Sequence, residues 1–480
     1  MREVLGGLPL LVPGVAVAAT LAARSPRAVF RVACACTAGL WLMGLLLLFR
    51  APATWDALAR WYDLLVLVLG GLSLAVSVQY VGVELAHGVV DAAAVRRYFA
   101  LFETLTLSLL AVGCFTNYLI IWAAVEGTTL STVMLVAFDG GPRPVEAAWK
   151  FIVVTGIGGL IALMGTVLLL HGSGVPLNSW SLMPAAAVRA PAGARVAVLL
   201  GLVLAVVGYG SKAGLVPFHT WLPDAHSEAP APVSALLSGV KLVGGLYALL
   251  RLAALASVAV GPVWPHTLLI MTGLLSLGIA AAAVPGQKDL KRMFAYSSIE
   301  HMGVIALGAG FGGVGLLGAL LHMWTHGFSK TALFYGSGNV RLRYAATGAP
   351  RVRGVLATMP ITGSALTLAA VAIVGLPPFG LFWSEWLVLL GGVQAGQVLW
   401  VTVALVFLVV NFVGFGLRLP DLLLGSAPEG GVVTAGESAV ASWPLGVALV
   451  GALVAGLVLP AVFHAAWLGA AATLTGGGPR

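Results

Sequence analysis

Charge is what this sequence has least of. Asp, Glu, Lys and Arg make up 9% of its 480 residues, against roughly 25% in an ordinary soluble domain. A water-soluble globule of this size cannot clothe its surface with so few charges, so that class is excluded. The 60% hydrophobic content is the opposite of a disordered chain. Cysteine is nearly absent: Cys34, Cys36 and Cys114 all fall in apolar stretches. Three such thiols give no disulfide framework, zinc ribbon or four-thiolate iron–sulfur site. No polar stretch is long enough to fold alone, which leaves a single polytopic membrane domain. The net charge of +8 is not gathered on a polar, aromatic-interleaved surface, which speaks against nucleic acid. It reads as the Lys and Arg excess that orients membrane loops. Residues 1–24 imitate a signal peptide, but no small-residue cleavage site precedes a polar region and another apolar segment follows. They are read as a retained first helix.

What is present is a succession of apolar runs. A spanning helix needs about 20 largely apolar residues, and fourteen candidates lie near 5–23, 30–49, 62–85, 97–114, 117–138, 147–171, 195–222, 230–256, 264–284, 292–311, 314–341, 358–393, 397–417 and 443–468. The seventh holds Gly214 and Pro217; the twelfth holds Gly375, Pro377, Pro378 and Gly380. Proline removes a backbone donor and clashes with the preceding turn. Such breaks survive at membrane depth only where protein or a watery cavity satisfies the freed backbone. The two breaks resemble each other: Gly214-Leu-Val-Pro217-Phe218 reads against Gly375-Leu-Pro377-Pro378-Phe379, with Trp221 and Trp383 close behind. Paired interrupted helices are the sequence mark of a transporter built from inverted repeats. Loops after odd-numbered spans carry fifteen basic residues and the other side, with both termini, seven. That bias puts both termini outside the cytoplasm.

Ionisable groups inside spans are the informative residues. Each costs at least ~2.5–3.5 kcal/mol to insert, so each is a functional candidate. Glu126 sits mid-span in the fifth, Lys212 precedes the first break, Lys241 lies in the eighth, and Glu385 follows the second break. Glu300 and His301 stand about 12 Å inward of Arg292 at 1.5 Å per residue. His322, His326 and Lys330 recur every four residues and share one helix face. A buried lysine held between desolvation and a nearby carboxylate releases its proton when that carboxylate moves, and imidazole titrates near ~6.5. The set therefore reads as a proton relay: Glu126, Lys212, Lys241, His322, His326, Lys330 and Glu385, with Glu300 and His301 as further candidates. One Lys–Glu pair is equally well read as helix glue, but desolvation argues against so many. Glu84, His87 and Glu103, nearer span ends, are expected to be interfacial. Thr128, Thr129 and Ser131 are expected to bond between helices.

Other motifs fail on context. Gly308-Ala-Gly-Phe-Gly-Gly313 fits GxGxxG but ends an apolar helix and follows no strand. Gly208-Tyr-Gly-Ser-Lys212 lacks the Walker spacing. Asp224, His226 and Glu228 offer metal-type ligands in a connecting loop. With His219 they are read as the mouth of the ion path rather than a metal site. No nucleophile–base pair stands out.

Residues 214–237, GLVPFHTWLPDAHSEAPAPVSALL, strongly resemble the signature of the antiporter-like subunits of complex I, Mrp-type cation/proton antiporters and membrane-bound hydrogenases. Asp289–Ser298 and His322–Phe334 are similar to two further blocks of that family. Val125–Thr132 and Ser298–Gly303 look like its hydrogenase-4/formate hydrogenlyase branch, component F in particular. The resemblance covers roughly residues 97–417. It implies an all-α membrane fold of about fourteen helices, with helices 4–8 and 9–13 as inverted five-helix repeats and helices 7 and 12 discontinuous. The expected parts are a three-helix segment 1–96, repeats 97–257 and 258–418, and a C-terminal loop and helix 419–480. Position by position, it implies that Glu126 pairs with Lys212, that Lys241 is the relay lysine and that Glu385 takes the exit position. Larger relatives add a long lateral helix, for which this chain has no room.

The expected function is proton translocation within a multisubunit redox complex of group 4 nickel–iron hydrogenase type, in a prokaryotic cytoplasmic (inner) membrane. The chain itself is expected to be a redox-silent, non-catalytic subunit without cofactor or metal. A nickel–iron centre and iron–sulfur clusters are expected in partner subunits. An Mrp-type or complex I-like Na⁺/H⁺ antiporter subunit, an inorganic-carbon-uptake partner and a non-pumping anchor remain as alternatives.

Overall fold

A computed structural model describes residues 7–49, 55–176, 192–348, 351–426, 439–457 and 464–475. In chain order its main helices are α1 (Leu8–Ala22), α2 (Pro26–Phe49), α3 (Ala57–Ala86), α4 (Ala92–Cys114), α5 (Tyr118–Val136) and α6 (Pro142–Ser173). There follow α7 (Arg195–Ala213), α8 (Trp221–Glu228) and α9 (Ala231–Val260). Then come α10 (Val263–Ala283), α11 (Leu290–Phe311), α12 (Gly313–Tyr344), α13 (Pro360–Ile373) and α14 (Gly380–Gln394). The last are α15 (Val398–Leu423), α16 (Ala439–Leu457) and α17 (His464–Thr475).

No strand occurs among the described residues, only one isolated bridge between Asp289 and Gly348. Nine of the described helices are long and apolar enough to cross a membrane, and the chain is an integral membrane protein. Among those not in that set are α11 and α12. Their Glu300, His301, His322, His326 and Lys330 lower the hydropathy of otherwise apolar helices.

Polar residues at helix starts explain where several helices begin. The orphan amides of a first turn need acceptors. Asp56 Oδ1 accepts from Ala59 N at 2.8 Å at the start of α3, and Asp91 Oδ1 from Ala94 N at 2.6 Å at the start of α4. Asn117 Oδ1 accepts from Leu119 N at 2.9 Å below α5, and Asp289 Oδ1 from Arg292 N at 3.0 Å below α11.

Both expected breaks are present. Helix α7 ends at Ala213, where Gly214 takes φ +73°, and α8 begins at Trp221. Helix α13 ends at Ile373, Gly375 takes φ +71°, and α14 begins at Gly380. A side chain is strained in that left-handed region, which is why glycine stands at both points. Each break contains a cis X–Pro peptide, Val216–Pro217 and Pro377–Pro378. Helix α9 is continuous, but residues Leu237–Lys241 form a π-turn within it.

The chain divides into two compact units: Met1–Ala213 with Val240–Leu269 and Phe463–Arg480, and Gly214–Gly239 with Ile270–Val462. In the first, α6 and α7 make the most intimate helix pair. A Cβ on Gly165 would stand 2.6 Å from Ala205 N, and one on Gly201 2.6 Å from Leu169 N. The two backbones therefore touch through glycine, the small-residue packing that lipid surroundings favour. Helix α17 packs on α3 in the same unit. In the second unit α12 is central, in contact with α11, α13, α14 and α16. Ile270, Leu274, Leu277, Val304, Leu307, Phe311 and Val388, from α10, α11 and α14, form an apolar core in the same unit.

The structure alters several sequence-based expectations. The described residues of the fourteenth span, placed at 443–468, belong to α16 and α17. Residues 458–463 within it lie outside the described residues, as do Arg2, Arg50, Arg189 and Arg480 of the loop count. Arg251 and Lys291, counted as loop charges, are buried at 2% and 0% exposure. Arg251 is held by Asp56, and Lys291 donates to the carbonyls of Ser227 (2.9 Å) and Ala229 at the end of α8. Setting both aside leaves the loop bias in the same sense. Glu103 is not interfacial: it is fully buried in α4 and accepts from Thr20 Oγ1 at 3.1 Å. Glu84 is also buried. Only long-range packing, invisible in the local pattern, encloses these groups.

Candidate ion relay

In the first unit, Lys212 on the last turn of α7 points at Glu126 in the middle of α5. Its Nζ lies 2.8 Å from both carboxylate oxygens and donates to Thr129 Oγ1 at 3.1 Å. The lysine side chain is 1% exposed and the glutamate 21%. Thr129, Thr128 and Ser131 also donate to carbonyls of α5, so only Thr129 combines that role with a bond to another helix.

Room for the pair comes from glycine on α6. A Cβ on Gly159 would collide with Glu126 Oε1, and one on Gly158 with Ser211 Oγ. Gly159→Ala is therefore expected to push the Glu126 carboxylate off Lys212. Crosslinking or infrared probes of the carboxylate should report a changed environment, and ion translocation should fall severalfold while the chain still inserts. Wild-type translocation in that variant would contradict the geometry.

Lys241, at the end of the π-turn, belongs to the same unit. It is 3% exposed, with its Nζ 4.3 Å from the centre of the Phe151 ring. An ammonium over an aromatic face is held by the ring quadrupole. The π-turn adds a residue to the helix repeat and so re-aims the side chains that follow; such turns recur at functional sites.

The second unit gathers imidazoles. His301 Nδ1 lies 3.1 Å from His322 Nε2, and His322 Nδ1 lies 2.9 Å from Ser384 Oγ. Glu385 Oε1 is 3.9 Å from His301 Nδ1. The His326 ring stands 5.3 Å from that of His301, centre to centre. One turn on, Lys330 Nζ donates to the Phe294 carbonyl at 2.6 Å. His322, His326 and Lys330 are fully buried, His301 is 1% exposed, and the Glu385 side chain is 15% exposed. Glu300 lies 5% exposed on α11. With Glu385 and Asn411 it lines a cavity of about 20 Å³, room for about one water. Gly375 at the second break lies against Glu385, where a Cβ would meet its Oε2.

The residues read as a path mouth make different contacts. Asp224 is paired with Arg292 at 2.8 Å. The His226 ring is buried and stacked on Phe334 at 4.8 Å. His219 is half-buried in the break, and Glu228 half-buried at the end of α8.

Several polar groups escaped the sequence reading. Asp63 on α3 is fully buried, with the Cys114 thiol 3.8 Å from its Oδ2. The signal was there, an acid inside an apolar run. Ser384 and Asn411 gave none, because their importance lies in what α11 and α12 bring to them.

Two helix-break glycines, a Lys–Glu pair beside one break and a His–Glu cluster beside the other form a recognisable arrangement. Residues 116–410 match the family described as NADH:quinone oxidoreductase/Mrp antiporter, TM. The chain belongs to that family. It is 35% identical over 341 residues to a hydrogenase-4 component F homolog of Methylacidiphilum infernorum (isolate V4), covering 70% of this chain and 71% of that protein. It is 34% identical over 340 residues to the NADH-quinone oxidoreductase subunit N of Desulforudis audaxviator (strain MP104C), covering 70% of this chain and 66% of that one. The fold of this antiporter-like chain matches a chain of the membrane-bound sulfane sulfur reductase, an archaeal respiratory membrane complex. The TM-score is 0.81 at 24% identity, over 99% of this chain and 97% of that one; this likeness is one of fold.

Proposed function

We propose that this chain is the proton-translocating membrane subunit of a multisubunit redox complex of the group 4 nickel–iron hydrogenase, hydrogenase-4/formate hydrogenlyase type. One observation carries the reading. Each of the two clusters ends in a partly exposed carboxylate, Glu126 at 21% and Glu385 at 15%, while the bases and imidazoles behind them are sealed. Glu126 stands in the middle of a spanning helix, where a carboxylate exposed to lipid is costly. It fits a surface covered by a neighbouring subunit whose charge acts on it.

The chemistry follows from burial. Lys212 keeps its proton while Glu126 is ionised beside it. A positive charge arriving next to Glu126 draws the carboxylate away, and an ammonium at 1% exposure without its counter-charge gives up its proton. That proton passes to Lys241 and onward through Lys330, His326, His322 and His301 to Glu385, with Glu300 beside the exit. Moving one charge across 100 mV takes about 2.3 kcal/mol, so each step needs only a modest push. Electron transfer belongs to partner subunits holding the nickel–iron centre and iron–sulfur clusters. His219, Asp224, His226 and Glu228 serve the path's mouth.

In this reading fourteen segments cross the membrane. Segments four to eight (97–257) and nine to thirteen (258–418) are inverted repeats, flanked by 1–96 and 419–480. The support is the matched breaks, Gly214 at +73° and Gly375 at +71°, each followed by Leu-X-Pro-Phe. The basic-loop bias puts both termini outside a prokaryotic cytoplasmic membrane. A complex I-like assembly is the second reading, favoured by the 34% identity to the NADH-quinone oxidoreductase relative.

The test is purification of the tagged chain from its native membrane in mild detergent. Hydrogenase large and small subunits should accompany it. Quinone oxidoreductase subunits would select the second reading, and short Mrp-type subunits alone would overturn both.

A further inference from the structure

The imidazole cluster has a geometry that proton relay does not require. One ligand atom from each of His301, His322 and Glu385 lies within 4.8 Å of the other two. Two of the separations are 3.1 and 3.9 Å. Donors on a tetrahedral zinc-class ion, at metal distances of about 2.0–2.2 Å, stand about 3.3 Å apart. The two imidazoles are already at that spacing. Glu385 is the one member with partial exposure, 15%, and so the one with freedom to close the remaining gap.

The contacts behind the cluster suit the same purpose. His322 Nδ1 is engaged by Ser384 Oγ at 2.9 Å. That contact orients the ring and, with Nδ1–H donating, leaves Nε2 as a lone pair facing the cluster, the usual support of a ligating histidine. His301 then places its proton on Nδ1, between the rings. The Ile373 backbone lies beside the His301 ring. An arriving metal displaces the shared proton, which moves to His301 Nε2. The ring changes tautomer and no net proton is lost.

An independent observation concerns His326. It lies one turn beyond His322 on α12, is fully buried, and neither ring nitrogen has a hydrogen-bond partner. Leaving an imidazole so is costly. Its ring centre is 5.3 Å from that of His301 and 6.2 Å from that of His322, so it borders the three ligands without joining them.

We propose that His301, His322 and Glu385 form a buried binding site for a divalent ion of the zinc class, with His326 beside it. Two imidazoles and one carboxylate select Zn²⁺, Co²⁺ or Cu²⁺ over Mg²⁺ and Ca²⁺, which prefer oxygen. On the relay reading above, an ion here occupies groups the proton must use and arrests translocation.

The test is a Co²⁺ titration of the full-length chain in detergent. Four-coordinate Co²⁺ gives intense visible ligand-field bands, and added Zn²⁺ should bleach them. His322→Gln should abolish the bands and Glu385→Gln weaken binding more than tenfold. Ser384→Ala should weaken binding about 10–100-fold, as loss of the group that orients a ligand does. His87→Gln, at an exposed helix end, should change nothing. Mg²⁺ should not compete. Monodispersity by size exclusion verifies that each variant is folded. A wild-type spectrum of octahedral Co²⁺ only, or unchanged bands in folded His322→Gln and Glu385→Gln, would overturn the site. Zn²⁺ inhibition of proton uptake by vesicles holding the assembled complex tests the consequence separately. Binding by Co²⁺ with no inhibition by Zn²⁺ would uphold the metal site and overturn the relay reading.

Discussion

Replacing Lys212 by alanine, or Glu126 by glutamine, should reduce coupled ion translocation by the assembled complex to background while redox turnover in the partner subunits continues. Here a buried ammonium is held by a partly exposed carboxylate at 2.8 Å. Stability and function separate by which partner is removed. Deleting one member of a buried pair costs ~3–5 kcal/mol when the other is left uncompensated. Lys212→Ala leaves Glu126, which at 21% exposure is the less enclosed partner. Glu126→Ala leaves a lysine with 1% exposure, the harsher of the two. Glutamine keeps an acceptor for Lys212 and Thr129 beside it, and so tests the charge rather than the packing. Turnover and proton uptake measured on the same vesicles decide the matter. Uptake per turnover at the wild-type level in either variant would remove these residues from the path.

The largest expected effect on stability belongs to Asp56. Both its oxygens hold Arg251, at 2.5 and 2.6 Å, and Oδ1 also caps α3. Arg251 is 3% exposed in its side chain against 16% for Asp56. Asp56→Ala strips a buried guanidinium of its carboxylate and a helix of its cap. About 3–5 kcal/mol from the pair and about 1 kcal/mol from the cap make it severe enough to deplete the chain from the membrane. Arg251→Met leaves the acid at the more exposed end and keeps the cap, so it should be milder. The double variant should recover part of the loss. The check is the amount of folded protein and its melting temperature in detergent; equal loss in both single variants would contradict the asymmetry.

How far the sequence reaches can be seen residue by residue. The breaks at Gly214 and Gly375 were legible because glycine and proline act locally on the backbone. The α12 ladder of His322, His326 and Lys330 was legible because the helix repeat is local too. The Glu126–Lys212 contact spans 86 residues, and only family resemblance implied it. His301–His322 needed the packing of α11 on α12, and Ser384 the packing of α14 on α12. Arg251 looked like a loop charge because its partner, Asp56, is 195 residues away. Glu103 was misplaced for the same reason, its partner Thr20 lying 83 residues away. The π-turn before Lys241 and the glycine seat at Gly159 leave no periodic mark, since both answer to neighbouring helices rather than to the segment itself.

Proton transfer along these groups depends on water reaching side chains that the fold otherwise seals. The most direct measurement is a map of the assembled complex by electron cryomicroscopy at a resolution where ordered waters are visible. Solvent density is expected to run from Lys212 past Lys241 and on through Lys330, His326 and the Glu300–Glu385 cavity. Dry, close-packed side chains between those groups would contradict the relay.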